Sequence, residues 1–177
     1  MVYSRHYDSP LGRIWMTSDG KALTGLWFDR QAHTTPIEGE TGADGGTRQL
    51  PVFDETVRWL DCYFSGRDPG FTPPLALHGT PFRQAVWKIL LEIPFGTTMT
   101  YGQIAARLDC GRDAGRGAGR GAGRMSAQAV GGAVGHNPIA LIVPCHRVIG
   151  AGGSLTGYAA GLDRKAWLLT LEHVFHT

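Results

Sequence analysis

Ser126-Ala-Gln-Ala-Val-Gly-Gly-Ala-Val-Gly-His-Asn-Pro-Ile-Ala-Leu-Ile-Val-Pro-Cys-His-Arg-Val-Ile-Gly150 carries the most informative reading of this 177-residue chain. Its first part, 126–134, is a short helix unusually rich in small residues: Ser126, Ala127, Ala129, Gly131, Gly132 and Ala133. Five apolar residues, Ile139–Val143, then read as a buried strand whose hydrogen-bond ladder Pro144 ends. Cys145 follows, with His146 beside it. A thiol reacts as its thiolate, and at a pKa of about 8.5 only a small fraction is ionised at neutral pH. A nucleophilic Cys145 therefore needs a base, and His146 is the obvious one if it faces the sulfur directly or through one water. The bland reading is a buried structural cysteine.

Upstream of this stretch the pattern is helical. Phe82, Ala85, Val86, Ile89, Leu90 and Ile93 share one helix face. Pro81 sits just inside its start, where a missing N–H costs nothing, and Pro94-Phe-Gly96 ends it. Tyr101–Leu108 is a second, shorter helix, so a short helix, a connection and a small-residue helix make a helix-turn-helix. The connection contains Gly111-Arg-Asp-Ala-Gly-Arg-Gly-Ala-Gly-Arg-Gly-Ala-Gly-Arg124, with arginine at 112, 116, 120 and 124. A helix would align them, but each interior glycine costs about 1 kcal/mol against alanine. The stretch reads as a cationic loop, either following phosphates or simply a solvated insertion. Leu162–Glu172 is the last helix, with Trp167 and Leu171 at helical spacing.

The first half reads differently. Val2–Tyr7, Leu11–Thr17 and Ala22–Phe28 alternate as strands, separated by Ser-Pro-Leu-Gly and Ser-Asp-Gly-Lys turns, which predicts a small antiparallel sheet. Residues 31–49 read as a loop and Val52–Phe64 as an amphipathic helix. Pro69–Pro74 leads into a linker, dividing the chain into residues 1–79 and 80–177.

Charge supports this division. Residues 1–80 hold 7 Lys/Arg against 10 Asp/Glu, whereas 81–177 hold 10 against 5. A polyanion partner thus suits the second half. Hydrophobic residues at 42% can build a core, and no apolar run approaches a membrane span. The charged N-terminus does not resemble a signal peptide, which leads to the expectation of a cytoplasmic protein. Three cysteines, Cys62, Cys110 and Cys145, at wide spacings argue against a disulfide framework or a structural zinc site, so neither metal nor cofactor is expected.

The stretches Phe82-Arg-Gln-Ala-Val-Trp, Ile93-Pro-Phe-Gly-Thr-Thr-Met-Thr-Tyr-Gly-Gln-Ile-Ala, Ala129-Val-Gly-Gly-Ala-Val-Gly-His-Asn-Pro, Pro144-Cys-His-Arg-Val-Ile-Gly, Gly157-Tyr158 and Leu168-Leu-Thr-Leu-Glu172 resemble the O6-alkylguanine-DNA alkyltransferases. The likeness covers residues 80–173 apart from the glycine-arginine segment. It implies an α+β fold: a small N-terminal ribonuclease-H-like α/β domain with an antiparallel sheet, and a C-terminal helical, winged-helix-like domain with a helix-turn-helix. It implies irreversible, stoichiometric alkyl transfer from guanine O6 in double-stranded DNA to Cys145, with thymine O4 as a further candidate donor. The expected state is a monomer that does not engage membranes.

Residue by residue, the resemblance makes Cys145 the acceptor, His146 its base through a water, and Glu172 the carboxylate orienting the imidazole. Asn137 would brace the turn, although an ordinary turn-forming Asn before Pro138 is the plainer reading. Tyr101 would help protonate the departing guanine, or be merely an aromatic at a helix start. Val148, Tyr158 and Ala159 would line the base pocket. Ala127, Ala129 and Gly131 would permit close approach to a DNA groove, or serve tight core packing.

Many relatives carry an arginine that fills the gap left by the flipped base, where this chain has Gln128. Arg124 and its neighbours are expected to compensate through phosphates. A lesion sensor of the alkyltransferase-like type would lack the acceptor cysteine, which is present here. A Cys-His hydrolase would turn over, whereas an S-alkyl cysteine has no route back to thiol.

Overall fold

The computed structural model describes residues 2–32, 49–113 and 124–174, with backbone only at 112 and 113. Three strands, β1 (Tyr3–Ser9), β2 (Gly12–Ser18) and β3 (Leu23–Phe28), form an antiparallel sheet in the order β1-β2-β3. The turns are built from their own side chains. Asp19 Oδ1 accepts from the N–H groups of Lys21 and Ala22, both at 2.8 Å, and Ser9 Oγ donates to Gly12 O at 2.6 Å. Ile14, Met16, Leu26 and Phe28 are buried in alternation, and Leu23 joins them past the register shift between Thr17 and Ser18. Helix α1 (Pro51–Phe64) contributes Val52, Phe53, Leu60 and Tyr63 to the same core.

The second half is helical. Helix α2 (Pro81–Leu91) is capped by Thr80, whose hydroxyl accepts from Arg83 N, and Pro81 occupies its first turn. After the two-residue strand β4 (Met99–Thr100) comes α3 (Tyr101–Asp113). Thr100 Oγ1 accepts from Gln103 N and Gln103 Oε1 accepts from Thr100 N, a reciprocal capping box. Helix α4 (Ala127–Gly135) starts at Ser126, whose hydroxyl accepts from Ala129 N. A 3-10 turn at Cys145–Arg147 leads into β5 (Val148–Ile149), parallel to β4, and a second 3-10 turn spans Ala151–Gly153. The last helix is α5 (Leu162–Leu171). Among the described residues no helix is long and apolar enough to cross a membrane.

The α+β architecture matches the expectation, and so does each expected helix, but α3 runs five residues further than read, taking in residues 111–113, which were expected to be loop. Two short strands, β4 and β5, lie where no strand was expected, and one expected element takes another form. Ile139–Val143 is not a strand but a buried turn: Val143 N donates to Ile139 O, Ile142 N to Ala140 O, and Leu141 takes φ 67°. Only Ile139 pairs with a strand, bridging Leu26. The five residues are apolar because structure surrounds them on every side; a continuous apolar run reports burial, not extension. Pro144 therefore ends no ladder and precedes the 3-10 turn instead. The expected loop falls outside the described residues over 33–48, as does most of the glycine-arginine connection, over 114–123.

Candidate active site

The nucleophile's position follows from that turn. Pro138 O accepts from Leu26 N, and Leu26 O accepts from Ala140 N, so β3 clamps the 138–140 backbone. Asn137 closes the turn from within: its Nδ2 donates to Val143 O at 2.7 Å and its Oδ1 accepts from Ile139 N at 3.0 Å. With both ends held, Cys145 starts the 3-10 turn with its side chain on a cavity and only 7% of its surface exposed.

The cavity has a volume of about 550 Å³, within the range of small-ligand sites. Tyr101, Asn137, Cys145, Tyr158 and Ala159 line it, and α4 supplies a wall through Ala127, Gln128 and Gly131. Gln31 and Ala32, at the end of the first described segment, complete the rim, and Ala32 N donates to Ala159 O at 2.9 Å. Helix α4 divides its small residues between two tasks. Val130, Ala133 and Val134 pack inward, whereas Ala127, Gln128 and Ala129 are exposed. Trp87 Nε1 donates to Ala133 O, tying α4 to α2.

Behind the cysteine lies a polar network in an otherwise apolar interior. His146 is wholly buried, and its Nε2 lies 2.6 Å from Glu172 Oε1. Arg147 donates Nε to Glu172 Oε2 at 2.9 Å and Nη2 to Oε1 at 3.2 Å, while its Nη1 donates to Ile93 O. Gly96 N adds a donor to Oε2 at 3.1 Å. Gly96 takes φ 75°, and a Cβ there would lie 3.0 Å from Glu172 O, so glycine is required. Tyr63 OH donates to Glu172 Oε1 at 2.7 Å.

Electrostatics follow from burial. Burial by itself would raise the Glu172 pKa, but the hydrogen bonds from His146 and Arg147 and the Arg147 charge outweigh it and hold the group at about 2. Burial pushes His146 down and outweighs the attraction of Glu172, so the imidazole is neutral. Burial pushes the Cys145 thiol up, while the Asn137 amide, the Lys165 charge and local backbone N–H groups pull the other way. The site at rest thus holds a neutral thiol and a neutral imidazole. His146 Nδ1 is buried without a hydrogen-bond partner and is the ring atom left to take a proton; Tyr158 OH is likewise unpartnered.

Of the residues expected at the site, Val148 lies apart from the cavity surface: it is fully buried and its carbonyl accepts from Lys165 Nζ. Ala129 and Arg124 are exposed and do not line the cavity. Sequence reasoning passed over Tyr63 and Arg147, which belong to the network, and Lys165, which holds the backbone beside it. Lys165 is buried, donates to the carbonyls of Val148 and Thr156, and is lowered by burial to about 8. Thr156 O also accepts from Tyr101 OH at 3.1 Å, which joins two cavity walls. Lys165, Leu168, Leu169 and Glu172 fall at i, i+3, i+4 and i+7, all buried. Two charged residues on the apolar stripe of a helix were the available signal.

A family model described as 6-O-methylguanine DNA methyltransferase, DNA binding domain, matches residues 81–174, and one described as the ribonuclease-like domain of the same proteins matches 2–77. A methylated-DNA–protein-cysteine methyltransferase of Mycobacterium tuberculosis is 44% identical over 172 residues, covering 97% of this chain and 93% of the relative. One from Haemophilus influenzae is 36% identical, covering 98% and 87%. The crystal structure of Mycobacterium tuberculosis OGT in complex with DNA is similar with a TM-score of 0.74 and 44% identity, covering 96% of this chain and 91% of that one.

Proposed function

The chain belongs to the 6-O-methylguanine DNA methyltransferase family, and on that premise we propose that it repairs alkylated double-stranded DNA by taking the alkyl group from guanine O6 onto its own Cys145. One observation carries the reading: the Cys145 side chain lies on a cavity of about 550 Å³ with a buried His146–Glu172 pair behind it. The Sγ–H proton passes towards His146 Nδ1, directly or through one water. The S–C bond forms as the O6–C bond breaks, and the departing guanine takes up a proton beside the Tyr101 hydroxyl. The products are an intact guanine and a thioether. No base can return that thioether to a thiol, so each chain acts once.

Access follows from the walls. A base inside a duplex cannot reach a recessed sulfur and must leave the stack, at a cost of a few kcal/mol. Exposed Ala127 and Ala129 allow close groove approach, while Gln128 stands at the cavity mouth, where it can wedge and hydrogen-bond without charge. Arg124, exposed just before α4, meets phosphate. Tyr158 and Ala159 hold the base, and Asn137 braces the nucleophile's turn. The proposed organisation is a domain of residues 1–79 and a DNA-binding, alkyl-accepting domain of residues 80–177, acting as a monomer in the cytoplasm. The free state of Cys62, Cys110 and Cys145 suits a reducing compartment.

The test is intact mass after incubation with duplex containing O6-methylguanine. A gain of about 14 Da, one CH₂, on the peptide bearing Cys145 and at one per chain is expected. Cys145→Ala should show no gain while keeping its affinity for the duplex. Turnover beyond one per chain, or a gain at another residue, overturns the reading.

A further inference from the structure

Tyr63 lies on α1, in the half of the chain that holds neither the cysteine nor the helix-turn-helix, yet its hydroxyl ends inside the polar network. It donates to Glu172 Oε1 at 2.7 Å and lies 3.2 Å from His146 Nε2, residues 109 and 83 positions away. The ring cannot swing out. It stacks on Trp59 at 5.1 Å and 10°, and meets the edges of Phe64, Phe95 and His146 at 5.5, 6.0 and 6.1 Å.

We propose that Tyr63 is a positioning residue for alkyl transfer, its hydroxyl tuning the basicity of His146 through their shared oxygen, Glu172 Oε1, which itself fixes the tautomer. The inference rests on the reading of Cys145 as alkyl acceptor. An ionised carboxylate only accepts, so the phenol proton points to Oε1, and the phenol stays protonated because burial raises it well above its ordinary value. His146 Nε2, 2.6 Å from that same oxygen, must then carry the ring proton, since two lone pairs at that distance repel. The remaining lone pair sits on Nδ1, the buried nitrogen without a partner.

Tyr63 also sets how strongly the carboxylate draws on the imidazole. Oε1 receives the phenol at 2.7 Å, the imidazole at 2.6 Å and Arg147 at 3.2 Å. Without the phenol its charge falls more fully on His146 and favours imidazolium, which cannot take the thiol proton. The charged and titratable groups acting on His146 are Glu172, Arg147 and Lys165, with Tyr63 against its ring edge and Cys145 before it in the chain. Of these groups, Tyr63 comes from the N-terminal half, which gives that half a part in the chemistry.

The experiment uses the full chain carrying Tyr63→Phe, which keeps the packed ring. Single-turnover transfer of a labelled methyl group from duplex DNA is followed across pH, alongside 15N NMR of the His146 ring. Transfer at neutral pH is expected to slow roughly tenfold, a fraction of the 10²–10⁴ that a general base supplies, with the acid limb of the rate profile moved to higher pH. The wild-type spectrum should show Nε2–H with bare Nδ1, and the variant more imidazolium at the same pH. Wild-type rates with an unmoved acid limb, even with a lowered Tm, would make the hydroxyl merely structural and overturn the proposal, as would a wild-type Nδ1–H tautomer. Should the variant not fold, the wild-type spectrum decides. Failure of the wild type to accept methyl sinks the Cys145 reading instead, whatever the tautomer.

Discussion

The Arg147 guanidinium and the Glu172 carboxylate meet through two nitrogens and two oxygens, Nε to Oε2 at 2.9 Å and Nη2 to Oε1 at 3.2 Å, with the carboxylate fully enclosed. His146 and Arg147 are neighbours in sequence and end on one carboxylate because the chain there winds as a 3-10 turn, not a strand. In a strand, adjacent side chains would point to opposite faces.

Glu172→Gln removes the charge that compensates the buried guanidinium and places an amide donor among donors. Losing one partner of a buried pair costs about 3–5 kcal/mol. At 2–4 °C per kcal/mol for a chain of this size, Tm should fall by roughly 6–20 °C. Scanning calorimetry against Cys145→Ala checks this; a drop under about 2 °C would mean the pair contributes little.

Acid stability should fall in two stages. The folded pKa of His146 is depressed, so the unfolded chain binds a proton below about pH 6.5 that the native protein does not, and native stability drops as pH falls. The folded pKa of Glu172 is also depressed, to about 2, so its contribution is complete above the usual carboxylate range and is lost as pH falls towards 2. Each group contributes at most about 1.4 kcal/mol per pH unit in its window. Urea melts at pH 7.5 and 5.5 should show the first stage, and His146→Gln should flatten it.

Lys165→Met leaves the carbonyls of Val148 and Thr156 without their ammonium donor and loosens the wall that Tyr101 shares. Displacement of reacting groups by about 1 Å can cost on the order of 100-fold. Transfer should slow by about 10- to 100-fold, duplex affinity should change little, and hydrogen exchange should quicken across 148–157. Unchanged exchange there would separate the lysine from the wall.

Replacing Arg112, Arg116, Arg120 and Arg124 by alanine together should flatten the salt dependence of duplex binding, by about 0.9 in log–log slope for each phosphate left without its arginine. Fluorescence anisotropy titrations over a salt series measure the slope. An unchanged slope assigns the cationic segment no part in docking, and leaves Gln128 without electrostatic support.

Periodicity and turn chemistry made the three longer strands and five helices legible, because each is set by residues a few positions apart. Asp19 closes its own turn, Thr100 and Gln103 cap one helix, and Ser126 caps another. The Cys-His pair and the small-residue helix were equally open to reading. Tertiary structure alone decided that Ile139–Val143 is a turn, since apolarity records exclusion from water but not backbone direction. It alone joined Tyr63 to Glu172 across 109 residues, and it alone set the proton state of the site. Burial and charges brought together from distant segments govern those pKa values, and neither quantity exists until the chain has closed around them.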